Sequence, residues 1–388
     1  MRVDKSKWES KTFPQIGISQ LGKTLDSKKN KGNPYPYLCA LNVGNGTFNL
    51  SVIKEILLED DELERYLVKR GDILICEGGE TGRCAIWDSD EPIYYQNALH
   101  RVRLFDNIFN RFIMYYIHYY KQIGVIDRLS HGQTIKHFTQ KDLKQLAFAL
   151  PPLTEQKAIV SELDAVQEMI DGYKAQLADL DELAKSIYHS YIDNKNFTYV
   201  KFESICSKMM SGPFGTMLHK SDYVDTSGIP QINPQDIKGG VVVKDNIKFI
   251  NPIKLNELKR FLLKENDIII ARRGDLSKCT IIKKEHINWL CGTGSCLVRI
   301  TKVLPSIFYY WFTSDHIQTI LNENVIGTTM PNLNKKKLQE TLIPVPPLHL
   351  QQQFATKIEA IEKQKELVSQ QLADAQTLFD SRMQYYFE

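Results

Sequence analysis

The 388-residue sequence contains no apolar run long enough to cross a bilayer, which needs roughly 18 consecutive residues, so no membrane span is expected. Its opening stretch, MRVDKSKWESK, lacks an apolar core and does not read as a signal peptide. Cysteine is sparse, with seven residues scattered singly. The nearest pair, Cys291 and Cys296, has neither C-x-x-C spacing nor a histidine pair beside it. This pattern excludes a disulfide framework, argues against a zinc site and points to a reducing, cytoplasmic compartment. Charge of one sign is also lacking overall, since the net value is only +3.

That small total hides a partition. Residues 154–192 carry net −5 and residues 349–388 net −2, which leaves +10 on the remainder. The acidic stretches are amphipathic. From Thr154 to Ile192, residues Ile159, Leu163, Val166, Ile170, Tyr173, Leu177, Leu180, Ala184, Ile187 and Tyr191 recur in steps of four and three. This is the apolar seam of a coiled coil, on a helix roughly 57 Å long. Pro151-Pro152 bars any helix from running in upstream. The second stretch repeats the seam at Phe354, Ile358, Ile361, Val368, Leu372, Ala375, Phe379 and Tyr386. Lys365 and Arg382 interrupt it, either fixing register or snorkelling outward.

The whole chain repeats at an offset of 195 residues. Pro151-Pro152-Leu153 and Gln156 meet Pro346-Pro347-Leu348 and Gln351. Asp72-Ile73-Leu74-Ile75 meets Asp267-Ile268-Ile269-Ile270, and Gly132 and Thr134 meet Gly327 and Thr329. The predicted organisation is a first globular domain at 1–150, a long helix at 151–194, a second globular domain at 195–344 and a second helix at 345–388. The fold class is mixed α/β (α+β), in two tandem copies joined by two helices that pair as an antiparallel coiled coil with pseudo-twofold symmetry.

Within each copy, apolar runs predict strands at Tyr35–Leu41, Ile73–Cys76, Cys84–Trp87 and His100–Leu104, and at Ile229–Ile232 and Asp267–Ala271. Aromatic helices are expected at Asn107–Lys121 and Ile307–Ile320, their rings read as core. Glycine-rich loops follow at Glu77–Arg83 and Arg272–Lys278.

Enzymatic motifs fit this plan poorly. Gly17–Thr24 fits G-x-x-x-x-G-K-[ST], but Pro14 interrupts the approach and the turn-like stretch Asp26–Pro34 follows, so a basic surface loop is expected there. No D/N-P-P-Y/F/W tetrapeptide of an adenine methyltransferase appears; Asn33-Pro34-Tyr35-Pro36-Tyr37 is a distant echo. Glu77 and Glu80 are not matched in the second copy, where Arg272 and Asp275 stand, and no E-x-K accompanies them. No catalytic or metal site is read. The polar loops instead suit nucleic acid, because arginine reads guanine edges, asparagine and glutamine read adenine, and lysine and threonine grip phosphate. The candidate DNA-binding residues are Lys28, Lys29, Asn42, Asn45, Arg83, Gln133, Thr134 and Lys136 in the first copy. In the second they are His219, Lys220, Asn233, Gln235, Arg272, Arg273, Lys278, Thr328, Thr329 and Asn332.

Two recognition units, each with a Gly-x-Thr loop, a short strand, a Pro-Pro-Leu-x-x-Gln element and a long helix, resemble the specificity subunit of type I restriction-modification systems. The residues are Gly132-Gln133-Thr134 with Pro151–Gln156, and Gly327-Thr328-Thr329 with Pro346–Gln351. The chain departs from the pattern at Leu350, where an acid is usual, and at Ile135–Phe138, where the second copy has the more family-like Met330–Leu333. The resemblance implies a non-catalytic subunit whose domains each read half of a split, asymmetric double-stranded DNA target. It implies that the helices space the domains and dock two methyltransferase subunits, with two restriction subunits joining in the restricting enzyme. S-adenosylmethionine, ATP and magnesium would then sit on those partners and no cofactor on this chain. The alternatives are a related bipartite-target system, a nucleotide-binding enzyme using Gly17–Thr24, and a coiled-coil adaptor with no DNA role.

Overall fold

The computed structural model describes residues 3–26, 28–133, 136–192, 197–323 and 331–388. The chain folds as two compact units, Met1–Lys174 with Gln370–Glu388, and Ala175–Ser369.

The first unit is built on a four-stranded antiparallel sheet. Its strands include β2 (Gly17–Leu21), β5 (Ile73–Cys76), β6 (Cys84–Ile86) and β8 (Leu99–Leu104), in the order β2-β8-β5-β6. All four residues of β5 are buried, as expected of an apolar run bounded by the Gly71 turn and the glycine-rich loop. β1 (Glu9–Thr12) pairs with β9 (Ala147–Leu150), which ties the start of the globular part to its end. A second sheet, β4-β3-β7, consists of β3 (Asn33–Leu38), β4 (Lys54–Leu58) and β7 (Tyr94–Tyr95), with β7 parallel to β3.

The second unit repeats this. β10 (Thr198–Lys201) pairs with β21 (Leu342–Val345). The main sheet runs β11-β20-β17-β18, from β11 (Cys206–Ser211), β17 (Ile268–Ala271), β18 (Cys279–Ile281) and β20 (Ser295–Ile300). The other runs β12-β16-β13-β19, from β12 (Tyr223–Val224), β13 (Ile229–Ile232), β16 (Lys248–Ile250) and β19 (Leu290–Cys291). A hairpin of β14 (Ile237–Lys238) and β15 (Val241–Val242) follows β13, where the first unit has the single antiparallel bridge Val43↔Phe48. The long helices span Leu153–Ile192 and Leu348–Phe387, again offset by 195.

The repeated Asp-Ile element is a buried anchor. Asp72 accepts from the Lys69 backbone N–H (2.8 Å) and pairs through both oxygens with Arg103 at 2.8 and 2.6 Å. Asp267 does the same with Lys264 N–H (2.8 Å) and Arg299 (2.6 and 2.9 Å). The Pro-Pro-Leu-x-x-Gln element is also a staple. Gln156, buried, accepts from Phe109 N–H at 2.9 Å and donates to the Pro151 carbonyl at 2.9 Å. Gln351 accepts from Leu304 N–H at 2.7 Å and donates to the Pro346 and Lys302 carbonyls. Phe109 and Leu304 are the residues that open the two aromatic helices, Asn110–Gln122 and Pro305–Thr313. Each glutamine therefore locks the start of a long helix to the start of an aromatic one, using backbone groups that have no partner within a helix.

Both units hold antiparallel helix pairs. In the first, Val166 and Ile170 pack against Ala375, while Glu162 meets Arg382 (3.1 Å) and accepts from the Tyr386 hydroxyl (2.7 Å). In the second, Tyr188 and Tyr191 pack on Phe354, and Lys365 reaches Asp181 at 2.7 Å. The two seam interruptions are thus met by an acid on the opposite helix. The rings of the Asn110–Gln122 helix are core: Phe112, Tyr115, Tyr116 and Tyr119 are buried, and Phe387 lies against Phe112 and Tyr116.

Two expectations are corrected. Gly17–Leu21 is not a surface loop but strand β2, registered against β8 from Gly17↔Leu104 to Leu21↔His100. Among the described residues no helix lies between it and β3, so the strand–loop–helix arrangement of a nucleotide site is absent here. The single helix read over Ile307–Ile320 is two, Pro305–Thr313 and Asp315–Asn322, broken at Ser314, whose backbone is extended.

Among the described residues no helix is long and apolar enough to cross a membrane, and no group of three or more His, Cys, Asp or Glu side chains is placed to hold a metal ion. All seven cysteines are free thiols.

Candidate nucleic-acid interface

Two loops that lie far apart in sequence meet in each unit. In the first, the glycine-rich loop leaving β5 pairs with the segment around His137. Phe138 N–H donates to the Glu77 carbonyl at 2.7 Å, and Gly78 and His137 form a bridge. His131 and His137 exchange both backbone hydrogen bonds, at 2.9 and 2.7 Å. Glu77 accepts from the His137 ring at 3.0 Å, and Asp142 faces the His131 ring at 3.2 Å. The two imidazoles are exposed whereas Asp142 is buried. Asp142 is held below the usual carboxylate range; burial opposes this, and hydrogen bonds from Thr139 and His131 outweigh it.

The second unit makes the same junction from other side chains. Arg272 stands where Glu77 does at the 195 offset. Its N–H donates to the Gly294 carbonyl at 2.8 Å, and its carbonyl accepts from Leu333 at 2.9 Å. Arg273 and Asn332 form the bridge, and Gly274 N–H donates to the Pro331 carbonyl at 3.0 Å. The Arg272 guanidinium lies 5.7 Å from the centre of the Phe214 ring and donates to the Thr293 carbonyl at 3.3 Å. Its pKa is drawn down by burial and by the charge of Arg273. Phe214 follows Gly212, where the chain passes so close to Gly292 that a Cβ would sit 1.8 Å from the Gly292 carbonyl oxygen. Only glycine permits that approach.

The residues singled out from sequence separate into groups. Arg272, Arg273 and Asn332 come together, whereas Gln133 and Lys136 are exposed on the segment that leads into the Glu77–His137 junction, Lys136 reaching the Asp127 carbonyl at 3.4 Å. Thr134, Thr328 and Thr329 lie outside the described residues. Lys28, Lys29, Asn45, His219, Lys220 and Gln235 are exposed on connecting loops and turns. Lys28 donates its backbone N–H to Asp26 at 3.0 Å, and Lys29 pairs with the same carboxylate at 3.6 Å.

Four others are committed within the fold. Arg83 donates to the Ala40 carbonyl at 2.8 Å and pairs with Glu80 at 3.1 Å, while Lys278 donates to the Pro234 carbonyl at 2.9 Å. Each ties the end of its glycine-rich loop to the short turn that follows the central strand of the second sheet, β3 or β13. Asn42 is buried in that turn, donating to the Asn49 and Val52 carbonyls at 2.9 and 3.0 Å and accepting from Cys39 N–H. Asn233 caps the equivalent turn, its N–H bonded to Asp236 at 2.8 Å.

Sequence reasoning missed Phe214 and His137. Phe214 had a signal, an aromatic inside Gly212-Pro213-Phe214-Gly215, a turn with little room to bury a ring; it is half exposed. His137 had none, because its pairing with Glu77 spans 60 residues.

A family model described as the type I restriction modification DNA specificity domain matches twice, over residues 5–182 and 194–376. The EcoBI specificity subunit of Escherichia coli is 22% identical over 342 residues, covering 80% of this chain and 71% of that protein. The EcoKI specificity subunit of E. coli strain K12 is 22% identical over 293 residues, covering 69% of this chain and 62% of that protein. Among solved structures, the type I restriction-modification S subunit of M. genitalium superposes with a TM-score of 0.55 at 16% identity, covering 100% of this chain and 98% of that one. At that identity the likeness speaks for the fold.

Proposed function

Since the chain belongs to the type I restriction-modification DNA specificity family, we propose that its two units read the two halves of a bipartite DNA target through the loop junctions at Glu77–His137 and Arg272–Asn332. The chain is a specificity subunit, and its two matched domains fit recognition of a split sequence. The observation that carries the residue-level reading is the repeated junction itself. The same backbone pairing brings the same two loops together in both units, while the side chains differ in kind and sign. A shared frame with unlike side chains suits a target whose halves are unlike, because base edges are told apart by their pattern of donors and acceptors.

The remaining roles follow from chemistry the chain does not supply. The reaction on DNA is assigned to partner subunits: two methyltransferase subunits carrying S-adenosylmethionine, and two restriction subunits carrying ATP and magnesium. The paired helices dock the methyltransferases and set the distance between half-sites. Each helix has its first half in one unit and its second half in the other, as a spacer requires.

The test is a genome-wide map of methylated adenines in cells with and without this gene, the methyltransferase gene being present in both. A bipartite motif with two unlike halves that vanishes with the gene is the expected result. Methylation that persists unchanged without it would overturn the assignment.

A further inference from the structure

We infer that Arg272, held against Phe214, reads a guanine in the half-site of the second unit and is the residue that sets specificity at that position. This rests on the function proposed above and goes further in naming the base and the reader.

The first observation is an uncompensated charge. Among the described residues Arg272 has no carboxylate within ion-pair distance, whereas Arg103, Arg111 and Arg299 each pair with an aspartate at 2.6–2.7 Å. Among the described residues its Nε is buried with no acceptor, and the guanidinium's one hydrogen bond is the 3.3 Å contact to the Thr293 carbonyl. A half-buried guanidinium without counter-charge is costly to maintain. A ligand presenting paired acceptors would supply what the described residues leave unmet.

The second observation is rigidity. The Arg272 backbone is fixed on both sides, by Gly294 and by Leu333, and its guanidinium lies beside the Phe214 ring. Exposed cations on flexible stems suffice for phosphate contacts, which position a protein without reading sequence. A planar fork held in one orientation matches the O6 and N7 acceptors on the guanine edge, while adenine presents an N6 donor where O6 would be. Arg273 beside it is exposed and suits the phosphate role. In the first unit the equivalent position is Glu77, an acceptor, so this guanine contact belongs to one half-site only.

The experiment uses the complete methyltransferase complex assembled with Arg272→Ala, Arg272→Lys or Arg273→Ala. It also uses unaltered complex on target DNA carrying 7-deazaguanine, which lacks N7, at each guanine of the motif in turn. The methylation map of Arg272→Ala should lose one guanine from one half of the motif and keep the other half intact. Affinity for the original target should fall roughly ten- to hundredfold. Lysine should not restore selectivity, and one 7-deazaguanine position should weaken the unaltered complex but not Arg272→Ala. Arg273→Ala should weaken binding to all sequences alike. Uniform weakening by Arg272→Ala with the motif intact would make Arg272 a phosphate contact and overturn the inference. So would a half-site containing no guanine, or no effect of 7-deazaguanine, while a bipartite motif in the unaltered complex keeps the broader function standing. An unaltered complex with no motif would overturn both.

Discussion

Gln156 and Gln351 recur at the 195-residue offset for a physical reason. Both are buried, and each satisfies the N–H that opens an aromatic helix together with the carbonyl before its own. Alanine at either would leave those backbone groups buried without partners, at a cost of about 1–3 kcal/mol each. Gln351→Ala should therefore lower the urea midpoint at an unchanged slope, while Gln351→Glu should fare no better, since a carboxylate cannot donate to the Pro346 carbonyl. An unchanged midpoint for both variants would mean the staple contributes nothing. Legibility at this scale was uneven. The charge at Arg83 and Lys278 was plain in sequence, and its repetition suggested a reading surface. The structure uses both cations as loop tethers, because a neighbouring turn carbonyl lies within reach of each. A sequence records that a cation is present and not what stands beside it.

At the scale of elements, the strongest periodicities were the most faithful guides. The 195-residue offset places strands Ile73–Cys76 and Ile268–Ala271, and helices Leu153–Ile192 and Leu348–Phe387, in matching positions. Long seams and all-apolar strands are legible because their burial pattern is set along the chain itself. Gly17–Leu21 was not, since what makes it a strand is pairing with residues more than 75 positions away. The break at Ser314 was hidden for the opposite reason. Most of the apolar residues on either side are buried, and the interruption rests on one extended residue whose hydroxyl donates to the Trp311 carbonyl. The helix pairs also give a testable contrast. Phe354 is fully buried and contacts Tyr188, Tyr191 and Tyr310. Phe354→Ala should destabilise the second unit by about 3–5 kcal/mol. Leu367→Ala, on the exposed face of the same helix, should change it by less than about 1 kcal/mol. Urea unfolding of the two variants would show equal losses only if the seam were not the packed face.

For the whole molecule, three histidines should set the response to mild acid. His100 is fully buried with Nε2 bonded to the Phe138 carbonyl at 2.7 Å, His118 faces the Cys84 carbonyl at 3.2 Å, and His286 is buried with neither ring nitrogen hydrogen-bonded. Burial pushes the pKa of each down. The unfolded chain, whose histidines titrate near about 6.5, therefore binds more protons below that pH than the fold does. Stability should be full above about pH 6.5 and fall as the pH drops through it, and His100→Phe should shrink that fall. A flat urea midpoint between neutral pH and mild acid would contradict this.

The helices carry the last prediction. The division between units falls after Lys174 on one helix and after Ser369 on the other. Seven residues added at both points keep the apolar seam in phase, since the seam repeats at 3.5 residues per turn. They lengthen each helix by about 10.5 Å, or about three base pairs of DNA at 3.4 Å each. If the helices set the separation of the half-sites, the doubly extended subunit should methylate a motif with both halves unchanged and a spacer about three base pairs longer. Seven residues in one helix alone would leave the antiparallel partners out of step and should abolish methylation. The decisive measurement is the methylation map of the double variant, because lost activity could reflect misfolding while a changed spacer could not. An active double variant that keeps the original spacer would show that the distance is fixed elsewhere.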